Sequence, residues 1–238
     1  MSSREAAAQG TRRPPFQSEG IRVRVWDLPV RLVHWTVAAL FVFSWWAAEE
    51  DQMAWHKLSG YTILGLVLFR IYWGFAGGST ARFTEFVKGP RVFWAHARSL
   101  FRRTGSVTLG HNPMGGWSVL ALLALLLAQC VLGLFATDVD GIESGPLDDL
   151  MSFETGRRIA HWHGLIFDGL LALVTLHIAA VLFYALYRRD DLLGAMIHGH
   201  KRAFEEGSNP RFVGIGRAIG GLLLTGLIVL AIITRLRF

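Results

Sequence analysis

Long apolar runs alternate with short charged ones along the whole chain. Five stretches carry almost no charge: about 29–48, 56–77, 116–137, 160–187 and 217–234. Each approaches or exceeds the roughly 20 residues that an α-helix needs to cross the hydrocarbon of a bilayer. Lipid offers the backbone no hydrogen-bond partners, so helices are expected rather than strands with open edges. The punctuation agrees. Asp27 and Pro29 suit the start of the first helix. Gly77-Gly78 suits the end of the second, and Asn112-Pro113 with Gly115-Gly116 opens the third. The expected architecture is an all-α integral membrane helical bundle, a four-helix core with a fifth transmembrane helix after it. Residues 1–20 read as a disordered cytoplasmic arm, 21–202 as the four-helix domain, and 203–238 as a linker and C-terminal transmembrane helix.

The loops set a direction. Arg4, Arg12, Arg13, Arg22 and Arg24 precede the first span. The 79–115 loop carries Arg82, Lys88, Arg91, Arg98, Arg102 and Arg103, and the segment after the fourth span carries Arg188, Arg189, Lys201, Arg202, Arg211 and Arg217. The 49–55 loop instead has Glu49, Glu50 and Asp51, and the 138–159 loop has six acids against Arg157 and Arg158. The positive-inside rule then places the N-terminus and the basic loops in the cytoplasm. Five spans put the C-terminus outside, where Arg235 and Arg237 fit badly.

Composition narrows the function. The chain has 238 residues, 52% of them hydrophobic, and a net charge of +6. The basic residues are confined to particular loops, which argues for membrane topology rather than a nucleic-acid surface. One cysteine, Cys130, permits no intrachain disulfide and no iron–sulfur cluster, and no C-x-x-C-H attaches a haem covalently. No apolar stretch follows the Arg12-Arg13 pair as a signal peptide would require. A redox cofactor here is expected to be non-covalent and held by histidine.

Nine histidines are present. His96, His111, His198 and His200 fall in loops and read as solvated, although His111 in "GHNPMGG" lies within reach of a headgroup or quinone. His34, His56, His161, His163 and His177 lie in or at the spans, where ionisable residues are expensive and usually functional. His163 and His177 are 14 residues apart, so they share a face to within ~40° and stand ~21 Å apart along the axis. His161 is 16 residues from His177, ~160° round the helix, and faces elsewhere. Matching depths pairs His56 with His163 at the outer level and His34 with His177 at the inner one. Two trans imidazoles from facing helices suit the axial positions of haem b. Zinc, the rival, wants about four ligands, and neither level offers a convergent acid.

Neighbouring residues fit the same picture. Arg70, deep in the second span, shares the face of His56 at the inner level, where a buried guanidinium suits a haem propionate unless it snorkels to the inner interface. Arg31 precedes His34 by three residues on the same face and could meet the same group. Arg157 and Arg158 stand at the outer mouth. Ala38, Gly60 and Ala180 leave room beside their histidines. Gln129 and Cys130 read as packing. Asp168 is nine residues from His177, ~180° round the helix, and faces away.

"VWDLPVRLVHW", "HKLSGYTILGLVLFRIYWGF", "GHNPMGGWSVLALLALL" and the His-x13-His of the fourth span together resemble the bacterial cytochrome b561 family, which includes the b-type subunits of nickel–iron hydrogenases. The resemblance covers roughly residues 20–202. It implies a di-haem cytochrome b core with His34, His56, His163 and His177 as iron ligands, and electron exchange with ubiquinone or menaquinone. The fifth apolar segment and Asp168 depart from that pattern. The expected function is transmembrane electron transfer between a periplasmic redox partner, such as a c-type cytochrome or hydrogenase, and the quinone pool. The acidic 138–159 loop suits docking of a basic partner, and His111, Asn112 and Ser118 are candidates for the quinone end. One alternative is a superoxide:ubiquinone oxidoreductase, with Arg157, Arg158 and Lys57 as a cationic funnel. The other is a non-redox, metal-binding membrane anchor or transporter.

Overall fold

The computed structural model describes residues 21–101, 110–203 and 210–235. The expected arm at 1–20, and Arg102, Arg103 and Arg237 of the charge pattern, lie outside the described residues. In chain order the elements begin with β1 (Ile21–Arg24), α1 (Leu28–Glu49) and α2 (Met53–Ala76). Three shorter and longer helices follow: α3 (Phe83–Phe86), α4 (Pro90–Ser99) and α5 (Pro113–Phe135). Then come α6 (Phe153–Phe183), a π-helical turn (Tyr184–Arg188), α7 (Leu192–His198), β2 (His200–Ala203) and α8 (Ile215–Thr234). Among the described residues, α1, α2, α5, α6 with its π-turn, and α8 are the helices long and apolar enough to cross a membrane. The chain is a multi-pass membrane protein.

Local chemistry sets the helix starts. Asp27 Oδ1 accepts from Val30 N at 2.9 Å to cap α1. Its Oδ2 accepts from Trp73 Nε1 at 2.9 Å, so one carboxylate ties the start of α1 to the end of α2. Asn112 caps α5 by accepting from Gly115 N at 2.7 Å. Ser152 accepts from Thr155 N at 3.3 Å, so α6 starts seven residues before the apolar run at 160. Its first two turns carry Glu154, Arg157 and Arg158, polar enough to stand clear of lipid while remaining helical.

α2 is the hub. It packs against α1, α5 and α8, and α5 packs against α6. Phe69, Trp73, Val67 and Leu170 are fully buried between these helices. α1 and α6 meet across the bundle through rings: Phe167 lies 5.8 Å from Phe41 and 5.6 Å from Trp45. α8 docks on α2 through Ala218, Gly221, Thr225 and Val229, a buried stripe at three- and four-residue spacing. At Gly221 a Cβ would run into Tyr72 and Phe69, the close approach that small residues allow between membrane helices. The opposite side of α8 exposes Leu223 and Leu227, as a lipid-facing surface should.

The two ends of the bundle differ in charge. At the basic end β1 pairs antiparallel with β2, Ile21 opposite Ala203 and Arg24 opposite His200. This joins the start of the four-helix unit to the segment after α7. At the acidic end, Lys57 pairs with Glu143 at 2.5 Å. α8 finishes there too. Arg235, out of place by the loop-charge rule alone, donates from Nε to Pro146 O at 2.6 Å and pairs through Nη1 with Asp149 at 2.6 Å. The acidic loop accounts for a cation at that end of the fifth span.

Candidate functional site

At the acidic end, His56 comes from the first turn of α2 and His163 from α6. Their ring centroids are 6.1 Å apart, with the planes at 79°. His56 Nδ1 lies 2.9 Å from Ser44 O, a carbonyl of α1. His163 Nδ1 lies 3.0 Å from Gln129 O, a carbonyl of α5. A carbonyl only accepts, so each Nδ1 carries the proton and each Nε2 keeps its lone pair. That tautomer is the one a metal-binding histidine needs. The Gln129 side chain is drawn in as well, its Nε2 being 3.0 Å from His163 Nε2 while its Oε1 is buried without a partner. Gly133, one turn further along α5, gives the ring its room: a Cβ there would stand 3.1 Å from His163 Cε1.

At the basic end, His34 of α1 faces His177 of α6, with centroids 6.4 Å apart and planes at 54°. His34 Nδ1 is buried with no hydrogen-bond partner. Arg70 is buried beside this level. Among the described residues it donates a long hydrogen bond to Ala81 O at 3.4 Å, and its guanidinium lies over Phe83, 5.4 Å from the centroid. His111 lies against Trp26 at 4.6 Å and Phe86 at 4.3 Å, and its Nδ1 is buried without a partner. Burial, then the positive charge of Arg70, pushes the His111 pKa down to about 3, so the ring is neutral at physiological pH. The buried Asp27 carboxylate is the negative charge that acts on Arg70 at this level, and it also accepts from Val30 N and Trp73 Nε1. A second anion beside Arg70 would share that guanidinium with Asp27.

Other candidates are not brought to either pair. His161 and Asp168 are exposed on α6. Arg31 is engaged elsewhere: Nε donates to Met196 O at 3.2 Å and Nη2 to Ile197 O, the last carbonyls of α7. It works as a helix C-cap that fastens α7 to α1. His96 bonds Tyr184, 2.9 Å from its hydroxyl. Sequence reasoning passed over Ser44 and Gly133 and read Gln129 as packing. Gly133 acts through a missing atom and left no signal, whereas Ser44, whose Oγ lies 3.2 Å from His56 Nδ1 beside its carbonyl, left a hydroxyl inside an apolar run. Gln129 left a signal too, as an amide inside an apolar run.

Both pairs have the spacing of two imidazoles on one metal. A metal–nitrogen bond of about 2.0 Å puts each ring centroid roughly 3 Å from the metal, so two trans rings stand about 6 Å apart. Among the described residues, no three His, Cys, Asp or Glu side chains converge as a metal site, so each level offers two ligands and not the three or four that zinc takes. Beside His56 there is space: no atom lies within 4 Å of where a Gly60 Cβ would be.

Residues 25–199 match the sequence profile of the prokaryotic cytochrome b561 family. The chain belongs to that family. As a prokaryotic cytochrome b561 it is placed among b-type cytochromes, and its activity is membrane electron transfer. Two similar proteins are each named "Probable Ni/Fe-hydrogenase B-type cytochrome subunit". The one from Bradyrhizobium diazoefficiens is 23% identical over 212 residues, covering 76% of this chain and 86% of the relative. The one from Azotobacter chroococcum mcd 1 is 22% identical over 209 residues, covering 74% and 87%. No solved structure matches the chain. The family match ends before α8, so the fifth membrane helix lies beyond the matched region of this cytochrome b561.

Proposed function

We propose that the chain conducts electrons across a bacterial inner membrane through two b haems, one held by His56 and His163, the other by His34 and His177. The observation that carries this reading is the pair of centroid separations, 6.1 and 6.4 Å, at two depths between α1–α2 and α6. When bound, a b haem would supply reversible one-electron chemistry, and a histidine pair at each level would hold it. The protein's own work is orientation and charge. Ser44 O and Gln129 O hold the acidic-end histidines in one tautomer. Arg70 would bind a haem carboxylate at the basic end. The apolar walls, with Leu170 and Phe167 between the two levels, keep water from the path.

The positive-inside rule puts the basic end in the cytoplasm and the acidic end in the periplasm. There the 138–159 loop is the docking surface for a redox partner, a c-type cytochrome or a hydrogenase such as the relatives' names suggest. Quinone, as ubiquinone or menaquinone, exchanges at the basic end. An open apolar groove of about 580 Å³ runs between α2 and α5 there, lined by Ile71, Phe75, Phe83, Val87, Leu120 and Leu123. It suits an isoprenoid tail, and its wall residue Phe83 touches Arg70 on one side and Phe86, the neighbour of His111, on the other.

The superoxide alternative needs free cations at the acidic mouth. Lys57 is bound to Glu143 at 2.5 Å, so this funnel candidate is largely offset, whereas Arg158 lies a loose 3.9 Å from an exposed Glu154, a pairing worth little. The test of the electron path is reconstitution in vesicles that hold an impermeant oxidant, ferricyanide, with an impermeant reductant outside. The chain is expected to reduce the trapped ferricyanide, and His34→Ala or His163→Ala to abolish this. Reduction no faster than in empty vesicles would sink the proposal.

A further inference from the structure

α4 is an amphipathic helix that the electron path does not use. Around a helix of ~100° per residue, Arg91, Trp94 and Arg98 fall on one side, and Phe101 just beyond the helix continues it. Trp94 is 61% and Phe101 75% exposed, and Arg91 and Arg98 are exposed beside them. The other side, Phe93, His96, Ala97 and Leu100, turns towards the bundle. α4 is fastened at both ends. Lys88 O accepts from Trp117 Nε1 of α5 at 2.9 Å. His96 Nε2 lies 2.9 Å from the Tyr184 hydroxyl. Phe101 O accepts from Tyr187 at 3.0 Å, and Ser99 O and Leu100 O accept from Arg188 at 3.4 Å. Its exposed side is thus set rigidly at the basic end of the bundle, beside the start of α5 and the end of α6, where the membrane helices leave the lipid.

An exposed tryptophan and phenylalanine next to two arginines mark a binding surface. The boundary between acyl chains and headgroups wants that combination: aromatic rings at headgroup depth, and guanidinium groups that lean out to phosphates. We propose that α4 lies in the headgroup layer of the basic-side leaflet and forms a binding surface for anionic phospholipid, with Trp94 and Phe101 in the acyl boundary and Arg91 and Arg98 on the phosphates. The partner is lipid rather than a soluble protein because the surface is continuous with the membrane-facing side of α5, where Trp117 is also exposed. Positive charge at that depth is complementary to an anionic leaflet.

The experiment uses the full chain in lipid nanodiscs of phosphatidylcholine alone or mixed in equal parts with phosphatidylglycerol. Trp94→Phe isolates the emission of Trp94 by difference. That emission is expected to be quenched about twofold more by lipid brominated near the headgroup than by lipid brominated at the chain end. Arg91→Gln and Arg98→Gln are each expected to weaken retention of phosphatidylglycerol, read by native mass spectrometry, about fivefold. Trp94 emission quenched by aqueous iodide and not by brominated lipid would overturn the proposal and point to a soluble partner. Equal phosphatidylglycerol retention in the wild type and the doubly substituted chain would overturn it as well. Both arginines and Trp94 are exposed, so loss of folding is not a competing explanation, and an unchanged far-ultraviolet dichroism spectrum checks this.

Discussion

Gly133→Ala sets two effects against each other and separates the seat of His163 from the stability of the helix around it. A methyl at Gly133 would stand 3.1 Å from His163 Cε1 and 3.5 Å from Nδ1. Carbon atoms pack comfortably at about 3.5–4.0 Å, so the ring must retreat by roughly half an ångström. Its bond from Nδ1 to Gln129 O is 3.0 Å long now. The same retreat stretches it towards about 3.5 Å, where such a bond fails. Overpacking costs about 1–3 kcal/mol, and alanine in place of a mid-helix glycine returns about 1 kcal/mol. Folding stability should therefore fall only slightly, while the ligand loses its orienting partner. Such partners are worth about 10- to 100-fold in metal affinity. The assay is a haem count with a potentiometric titration of the purified chain. One of two redox components should be lost or displaced, the other left in place, and the unfolding temperature little changed. Two components both like the wild type would refute the reasoning, and so would equal damage to both.

Three further outcomes follow from the same geometry. Gly60→Leu fills space that is open beside His56, so it should lower haem occupancy at the acidic end without an apparent packing penalty; full occupancy by absorbance would contradict that. Gly221→Leu drives a side chain into Tyr72 and Phe69 and should cost about 1–3 kcal/mol, loosening α8 from α2 and speeding protease cleavage after α7, with both haems retained. His111 has a folded pKa of about 3 against about 6.5 in an unfolded chain. Above about pH 6.5 it is neutral in both states. Below that the unfolded chain takes a proton that the folded chain refuses, so stability should fall as pH drops towards 3, by at most about 1.4 kcal/mol per pH unit. His111→Phe should flatten that slope in thermal unfolding at about pH 7 and about pH 5; an unchanged slope would assign it to other groups.

Much of this molecule is legible in its sequence because membrane helices obey local rules. The five spans follow from hydropathy, and the facing of His163 and His177 follows from a fixed turn and rise per residue. Matching His56 to His163 and His34 to His177 by depth needs only that the neighbouring helices run antiparallel. Charge alone separates the two ends. What stays hidden is tertiary. No pattern announces that Ser44 and Gln129 present backbone carbonyls to the two acidic-end histidines, because every residue has a carbonyl. Arg31 looks like a companion of His34 by its three-residue spacing, yet its guanidinium is taken by the carbonyls of α7, which lies more than 160 residues away in the chain. Arg235 looks misplaced until the acidic loop is folded against it. α4 is too short to register as a membrane helix and too polar to register as a core helix, and its place shows only once Tyr187 and Arg188 cap it.

The central claim is two haems at two levels on four named histidines. The most direct measurement is the reduced-minus-oxidised optical spectrum with a pyridine haemochrome count, on the wild type and on His177→Ala. The account predicts about two b haems per chain, falling to about one in the variant, with the acidic-end component intact. No haem in the wild type, or an unchanged count in His177→Ala, would contradict it.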